Sequence, residues 1–151
     1  MIYLLDTDLF IMLLRGTALT RADTPRKIAV KRAAGRILAK CKARDAAGDI
    51  IGLSAISAAE LEFGLHHGGR YSESEPVLRQ IMAPFVVFPF DADGCVRAYG
   101  IVRARLTAKG TGIGPLDTMI AAHALALGAV LVTHNTREFR RVASLEVEDW
   151  A

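Results

Sequence analysis

Short apolar runs alternate along this chain with longer segments of helical period, and that alternation limits the fold more than any other feature. Ile2–Leu5 is an apolar run that ends abruptly in Asp6-Thr7-Asp8, which reads as a buried parallel strand with acids at its carboxyl end. Residues 49–53, 85–88 and 129–133 read as further strands. Between them the pattern is helical. Residues 9–14 begin a helix, with Gly16 as its candidate stop. Pro25–Ala46 opens on Pro, has Gly48 just past its end, and carries Ile28, Ala33, Ala34, Ile37, Leu38 and Cys41, so an amphipathic helix is expected there. Helices are also expected over 57–66, closed by Gly68-Gly69, over 76–83, and over 116–127, ended by Gly128. Asp91 or Asp93 can cap another that runs to about residue 109, with Val96, Tyr99, Val102 and Leu106 along one face. Strands alternating with helices predict a layered α/β domain with a mostly parallel sheet, in which ligands bind beyond the carboxyl ends of the strands.

The length of 151 residues suits one domain, since a single core fills roughly 100–200 residues. Charged residues make up 23% of the chain and apolar ones 52%, which excludes a disordered or low-complexity segment. The formal charge of +3 is unevenly spread: residues 21–45 hold nine basic and two acidic side chains, a net +7, which leaves −4 elsewhere. Such a segment attracts phosphate, acidic membranes or acidic proteins. Cys41 and Cys95 fit neither a disulfide framework nor a metal-ligand spacing, which points to a reducing compartment. The start of the chain lacks the basic region of a signal peptide, and the apolar run 119–132 is interrupted by His123 and falls short of the ~18 residues a membrane span needs. A soluble, cytoplasmic protein is expected.

Three acids stand at element boundaries. Asp6 either caps the following helix, a task Thr7 or Asp8 can also perform, or faces a crevice where burial demands a cation or a donor. Asp8 fits a cap or an outer position. Glu60 ends Ser57-Ala58-Ala59-Glu60, a capping-box pattern, but it also lies in a stretch poor in other polar groups and can turn inward. Asp117 opens an Ala-rich helix whose other faces are almost all apolar, so it is expected to be partly buried. Brought to one sheet edge, these carboxylates make an oxygen-rich site suited to Mg²⁺ or Mn²⁺. Thr133 and Asn135 end the last expected strand and can orient carboxylates, or serve a turn. His134 and the His66-His67 pair lack zinc spacing, and Pro115 breaks the Gly110, Gly112, Gly114 series as a nucleotide loop.

Four stretches together resemble the PIN domain, in particular VapC-type toxin ribonucleases: Tyr3-Leu4-Leu5-Asp6-Thr7; Ser57-Ala58-Ala59-Glu60-Leu61-Glu62-Phe63-Gly64; Ile113-Gly114-Pro115-Leu116-Asp117-Thr118-Met119-Ile120-Ala121-Ala122-His123-Ala124; and Leu131-Val132-Thr133-His134-Asn135-Thr136-Arg137-Glu138-Phe139. They recur in family order along nearly the whole chain. The resemblance implies a three-layer α/β/α sandwich and a Mg²⁺-dependent endoribonuclease with its metal on Asp6 and Asp117, Glu60 completing the acidic cluster, and Thr7, Thr133 and Asn135 supporting it. It also implies an RNA substrate, a VapB-type antitoxin partner and a homodimer. Family members commonly carry an acid or amide after the last strand; here that position is Asn135, and Glu138 is a candidate replacement for the missing charge. The segment before Asp49 is longer than in short VapC proteins.

A divalent ion on Asp6 and Asp117 is expected to polarise a scissile phosphate and acidify a bound water, with Glu60 holding water ligands or accepting the attacking water's proton. Arg32, Arg36, Lys40 and Arg44 recur every four residues, a spacing at which like charges repel unless RNA phosphate, an acidic partner or solvent takes them up. Two other readings are a degenerate PIN-like module that binds without cutting and a haloacid-dehalogenase-like phosphatase. The latter also needs a later Lys and a paired acidic motif, which are not found near Asp117.

Overall fold

A computed structural model describes all residues, Met1–Ala151. The chain runs β1 (Ile2–Leu5), α1 (Thr7–Ala18), α2 (Pro25–Ala46), β2 (Ile50–Ser54), α3 (Ala55–His67), α4 (Tyr71–Met82), β3 (Val86–Phe88), α5 (Gly94–Ala108), α6 (Pro115–Leu127), β4 (Val130–Val132), α7 (Thr136–Phe139) and β5 (Val147–Glu148). The strands form one parallel sheet in the order β3-β2-β1-β4-β5.

Both faces of this sheet are covered, which is why its strands are apolar without alternation. Tyr3 and Leu5 of β1, Ile51 and Leu53 of β2, and Val130 and Val132 of β4 join a core with Leu9, Phe10 and Leu13 of α1, Ile37 of α2, Leu61 of α3 and Leu78 of α4. Leu4 and Leu131, pointing the other way, join Val102 and Leu106 of α5, Ile120 and Ala121 of α6, and Phe139. The result is a three-layer α/β/α arrangement, with the sheet as its middle layer.

The elements depart from the sequence reading at several places, each for a tertiary reason. Gly16 is not a stop; α1 continues to Ala18, and a Cβ at Gly16 would lie 2.2 Å from that of Ala34 on α2. That glycine is where two helices touch. Ser57 does not cap α3: Ser54 accepts from the amide of Ile56, and the helix begins at Ala55. The helix expected at Pro76 begins at Tyr71 and holds that proline inside. Asp91 gathers the amides of Asp93 and Gly94, whereas Asp93 makes no side-chain cap. Val96 is 54% exposed, and Cys95 faces the core in its place. The two-residue β5 had no sequence signature long enough to read. The basic helix has the expected bounds, Pro25–Ala46, because Thr24 caps its start and Pro25 occupies the first turn.

Strand order fixes where a site can form. The chain places β2 and β3 on one side of β1, then crosses to lay β4 and β5 on the other. The carboxyl ends of β1 and β4 therefore flank the point where the winding reverses, and crevices form there in open parallel sheets.

Candidate active site

Asp6 follows β1 directly and is 3% exposed. It occupies the N-cap position of α1 yet makes no side-chain cap bond. Its Oδ2 instead accepts a hydrogen bond of 2.7 Å from the Thr133 hydroxyl, across the β1–β4 boundary. The backbone supports this link: the Asp6 amide donates to the Val132 carbonyl at 2.9 Å, and the Asn135 amide donates to Thr133 Oγ1 at 3.0 Å. Asn135 thus reaches the carboxylate through Thr133, by its main chain. Thr7, the next buried polar residue, donates its hydroxyl to Glu60 Oε2 and so ties the start of α1 to α3. Glu60 is half-buried, five residues beyond the helix start, outside any capping box.

Asp117 stands in the first turn of α6. A Cβ at Gly114 would lie 2.9 Å from its Oδ2, so the carboxylate folds back over a residue without a side chain. A carboxylate at a helix start is normally favoured as the anion. Here burial outweighs that effect and raises the pKa, with Glu138, Glu60 and Asp8 adding repulsion. Burial likewise pushes Asp6 up to about 6; Asp8 and Asp117 add to the rise and the Thr133 hydrogen bond opposes it. Asp6, Glu60 and Asp117, named from the sequence, are therefore drawn into one electrostatic site, together with Glu138 and the exposed Asp8.

The donor chemistry fits a hard divalent cation. Every group is a carboxylate or hydroxyl oxygen, and the acids burden one another with charge that a cation relieves. No three acidic, His or Cys side chains close around a point as an all-protein cage. Two carboxylates with water in the other positions is the usual setting for Mg²⁺.

His123 stood out in the sequence only as an interruption in an apolar run. Fully buried on α6, its Nδ1 lies 2.8 Å from Ser54 Oγ, so the cap of the Glu60 helix is bound to the helix that carries Asp117. Its Nε2 and the hydroxyl of Ser57 are buried without partners, and burial lowers the His123 pKa. No local pattern could have revealed this, because Ser54 and His123 are 69 residues apart. His66 and His67 stack on Tyr71 and Phe63, and His134 faces Asp149.

The PIN domain family model matches residues 3–145. Over 150 residues, 99% of this chain and 98% of the relative, the sequence is 31% identical to Ribonuclease VapC1 of Haemophilus influenzae strain R2866. The chain belongs to the PIN domain family, among the VapC ribonucleases. A second relative, the tRNA(fMet)-specific endonuclease VapC of Shigella flexneri, is 35% identical over 99 residues, 66% of this chain and 74% of its own. Among solved structures, a chain of VapBC2 from Rickettsia felis bound to a DNA fragment from their promoter superposes with a TM-score of 0.81 at 28% identity, covering 100% of both chains. The basic helix of this PIN domain lies inside these full-length matches and is not appended to them.

Proposed function

We propose that this VapC-type PIN domain is the ribonuclease toxin of a toxin–antitoxin pair, hydrolysing RNA phosphodiester bonds with Mg²⁺ or Mn²⁺ held by Asp6 and Asp117. The observation that carries the reading is the buried Asp6 at the reversal point of the sheet, fixed by Thr133 and sharing one field with Asp117. A divalent ion there supplies a Lewis acid for the scissile phosphate and acidifies bound water. Thr133 occupies Oδ2 of Asp6 and leaves Oδ1 for ligation, while the Asn135 amide keeps the threonine in place. Thr7 engages one oxygen of Glu60, so the other is free to accept the proton of the attacking water. Asp8 and Glu138 add charge at the margin of the site.

A VapB-type antitoxin is the proposed protein partner, supported by the VapBC complexes among the solved structures of the same fold. A homodimer acting in the cytoplasm completes the proposal; no helix is long and apolar enough to cross a membrane. The experiment is incubation with a mixed RNA pool and Mg²⁺, with cleavage ends mapped. Wild type should cut, and Asp117→Asn should lose about 10²-fold or more of the rate while remaining folded. An Asp117→Asn protein that cuts as fast as wild type defeats the assignment.

A further inference from the structure

α2 carries eight cations: Arg26, Lys27, Lys31, Arg32, Arg36, Lys40, Lys42 and Arg44. Two are committed within the fold. Lys27 pairs with Asp23 at 2.7 Å, and Arg44 lies over the Tyr3 ring within reach of Asp49 and Glu148. The other six meet no carboxylate within 4.0 Å. Lys31, Arg32, Arg36, Lys40 and Lys42 are all exposed. At 1.5 Å per residue they cover about 17 Å of helix, and the other exposed residues among them are Gly35, Ala39 and Leu38, with Ala43 just beyond. The helix is held from its inner side by Ala33, Ala34, Ile37 and Cys41; Arg36 and Lys40 border a cleft that Asp149 and Trp150 also line, without an ion pair to Asp149.

We infer that the outward face of α2 docks the phosphate backbone of RNA, an inference that takes its choice of RNA from the ribonuclease reading. A protein partner fits this face poorly. Protein interfaces are built around buried aromatic or aliphatic anchors and are poor in lysine. Here Leu38 turns toward a cleft against α4, with Leu13, Ile81 and Phe85, and Ile28 near the helix start is the face's large apolar side chain. A row of long cations spaced by alanine and glycine suits a polyanion, whose binding needs no apolar core. Arg32, Arg36 and Lys40 repel one another along the helix, and phosphate removes that repulsion.

The test is the salt dependence of binding to a short labelled oligouridine in chelator, for wild type, for Arg32→Gln/Arg36→Gln/Lys40→Gln, and for Arg97→Gln/Arg105→Gln/Lys109→Gln on α5. The two triple variants have the same net charge. Each phosphate that is no longer neutralised by a cation lowers the slope of log affinity against log salt by about 0.7. The α2 variant should therefore lose about 2 from its slope, roughly a twentyfold smaller change in affinity between about 50 and 200 mM salt, while the α5 variant keeps the wild-type slope. An unchanged slope in the α2 variant, or an equal change in both, overturns the inference. So does loss of binding to polyglutamate with the RNA slope intact, which assigns the face to an acidic protein. If the triple variant fails to fold, the single variants Arg32→Gln and Lys40→Gln should each remove about a third of the effect. Absence of cleavage by wild type in Mg²⁺ beside a reduced slope would remove the ribonuclease reading and leave the docking face standing.

Discussion

At the scale of a residue, Asp6 is an acid whose burial works against its ionisation. Its carboxyl titrates near 6 in the fold because burial disfavours the anion, with Asp8 and Asp117 acting in the same sense. In the unfolded chain it titrates near the ordinary value of about 3.9. The native state therefore holds the proton more tightly, and stability falls as pH rises from about 4 to 6. Above that window an unaccompanied Asp6 anion costs the fold on the order of 1–3 kcal/mol. Asparagine keeps the shape and can accept the Thr133 hydrogen bond without the charge. In chelator near neutral pH, Asp6→Asn is expected to unfold several degrees above wild type, with the gap closing toward about pH 4. A thermal melt in which wild type matches or exceeds the variant at neutral pH would show that the carboxylate carries no such penalty. The identity of this acid was legible in the sequence because an apolar run stops at it. Its ionisation was not, since burial raises its pKa against the opposing hydrogen bond of Thr133, and both arise from chain that packs around it only in the fold, Thr133 standing 127 residues away.

At the scale of an element, the α1–α2 contact shows how local rules mislead. Glycine ends many helices, so Gly16 resembled a terminus. In the fold it is buried within α1, where Ala34 on α2 takes the volume a side chain would need. Alanine is about 1 kcal/mol better than glycine in a helix interior, yet the overlap forces the helices apart. Gly16→Ala should therefore destabilise the protein by about 1–3 kcal/mol in denaturant unfolding. Adding Ala34→Gly should recover most of that loss, whereas additive losses would place the strain elsewhere. The serine caps failed the same way. Ser54 and Ser57 are equally plausible to a local pattern, and the choice belongs to His123, which binds Ser54 from another layer. The basic helix, by contrast, was legible to the residue, because Thr24, Pro25 and the inner apolar stripe all act locally.

At the scale of the molecule, strand order converts scattered acids into a site. The sequence supplies Asp6, Glu60 and Asp117 far apart, and only the order β3-β2-β1-β4-β5 sets Thr133 beside Asp6 at the reversal point. A parallel sheet was readable from its apolar runs; which strands are neighbours was not, because pairing is a property of the whole chain. The same assembly explains the charge division, with an acidic site in the body and uncompensated cations on α2. If these mutually repelling carboxylates hold the proposed divalent ion, its binding must couple to global stability. A ligand that binds only the folded state stabilises it by about 2.7 kcal/mol at a hundredfold excess over Kd. Titrating Mg²⁺ or Mn²⁺ into the wild-type protein near neutral pH should thus raise its unfolding temperature, by an amount that keeps growing with concentration. The rise should shrink as pH falls below about 6, where a proton competes for Asp6. Asp6→Asn and Asp117→Asn should each remove most of the rise, while Asp91→Asn, a carboxylate occupied with amides at the start of α5, should leave it intact. Equal rises in all four proteins would mean that the ions act on the surface at large, and the crevice between β1 and β4 would then have to work without them.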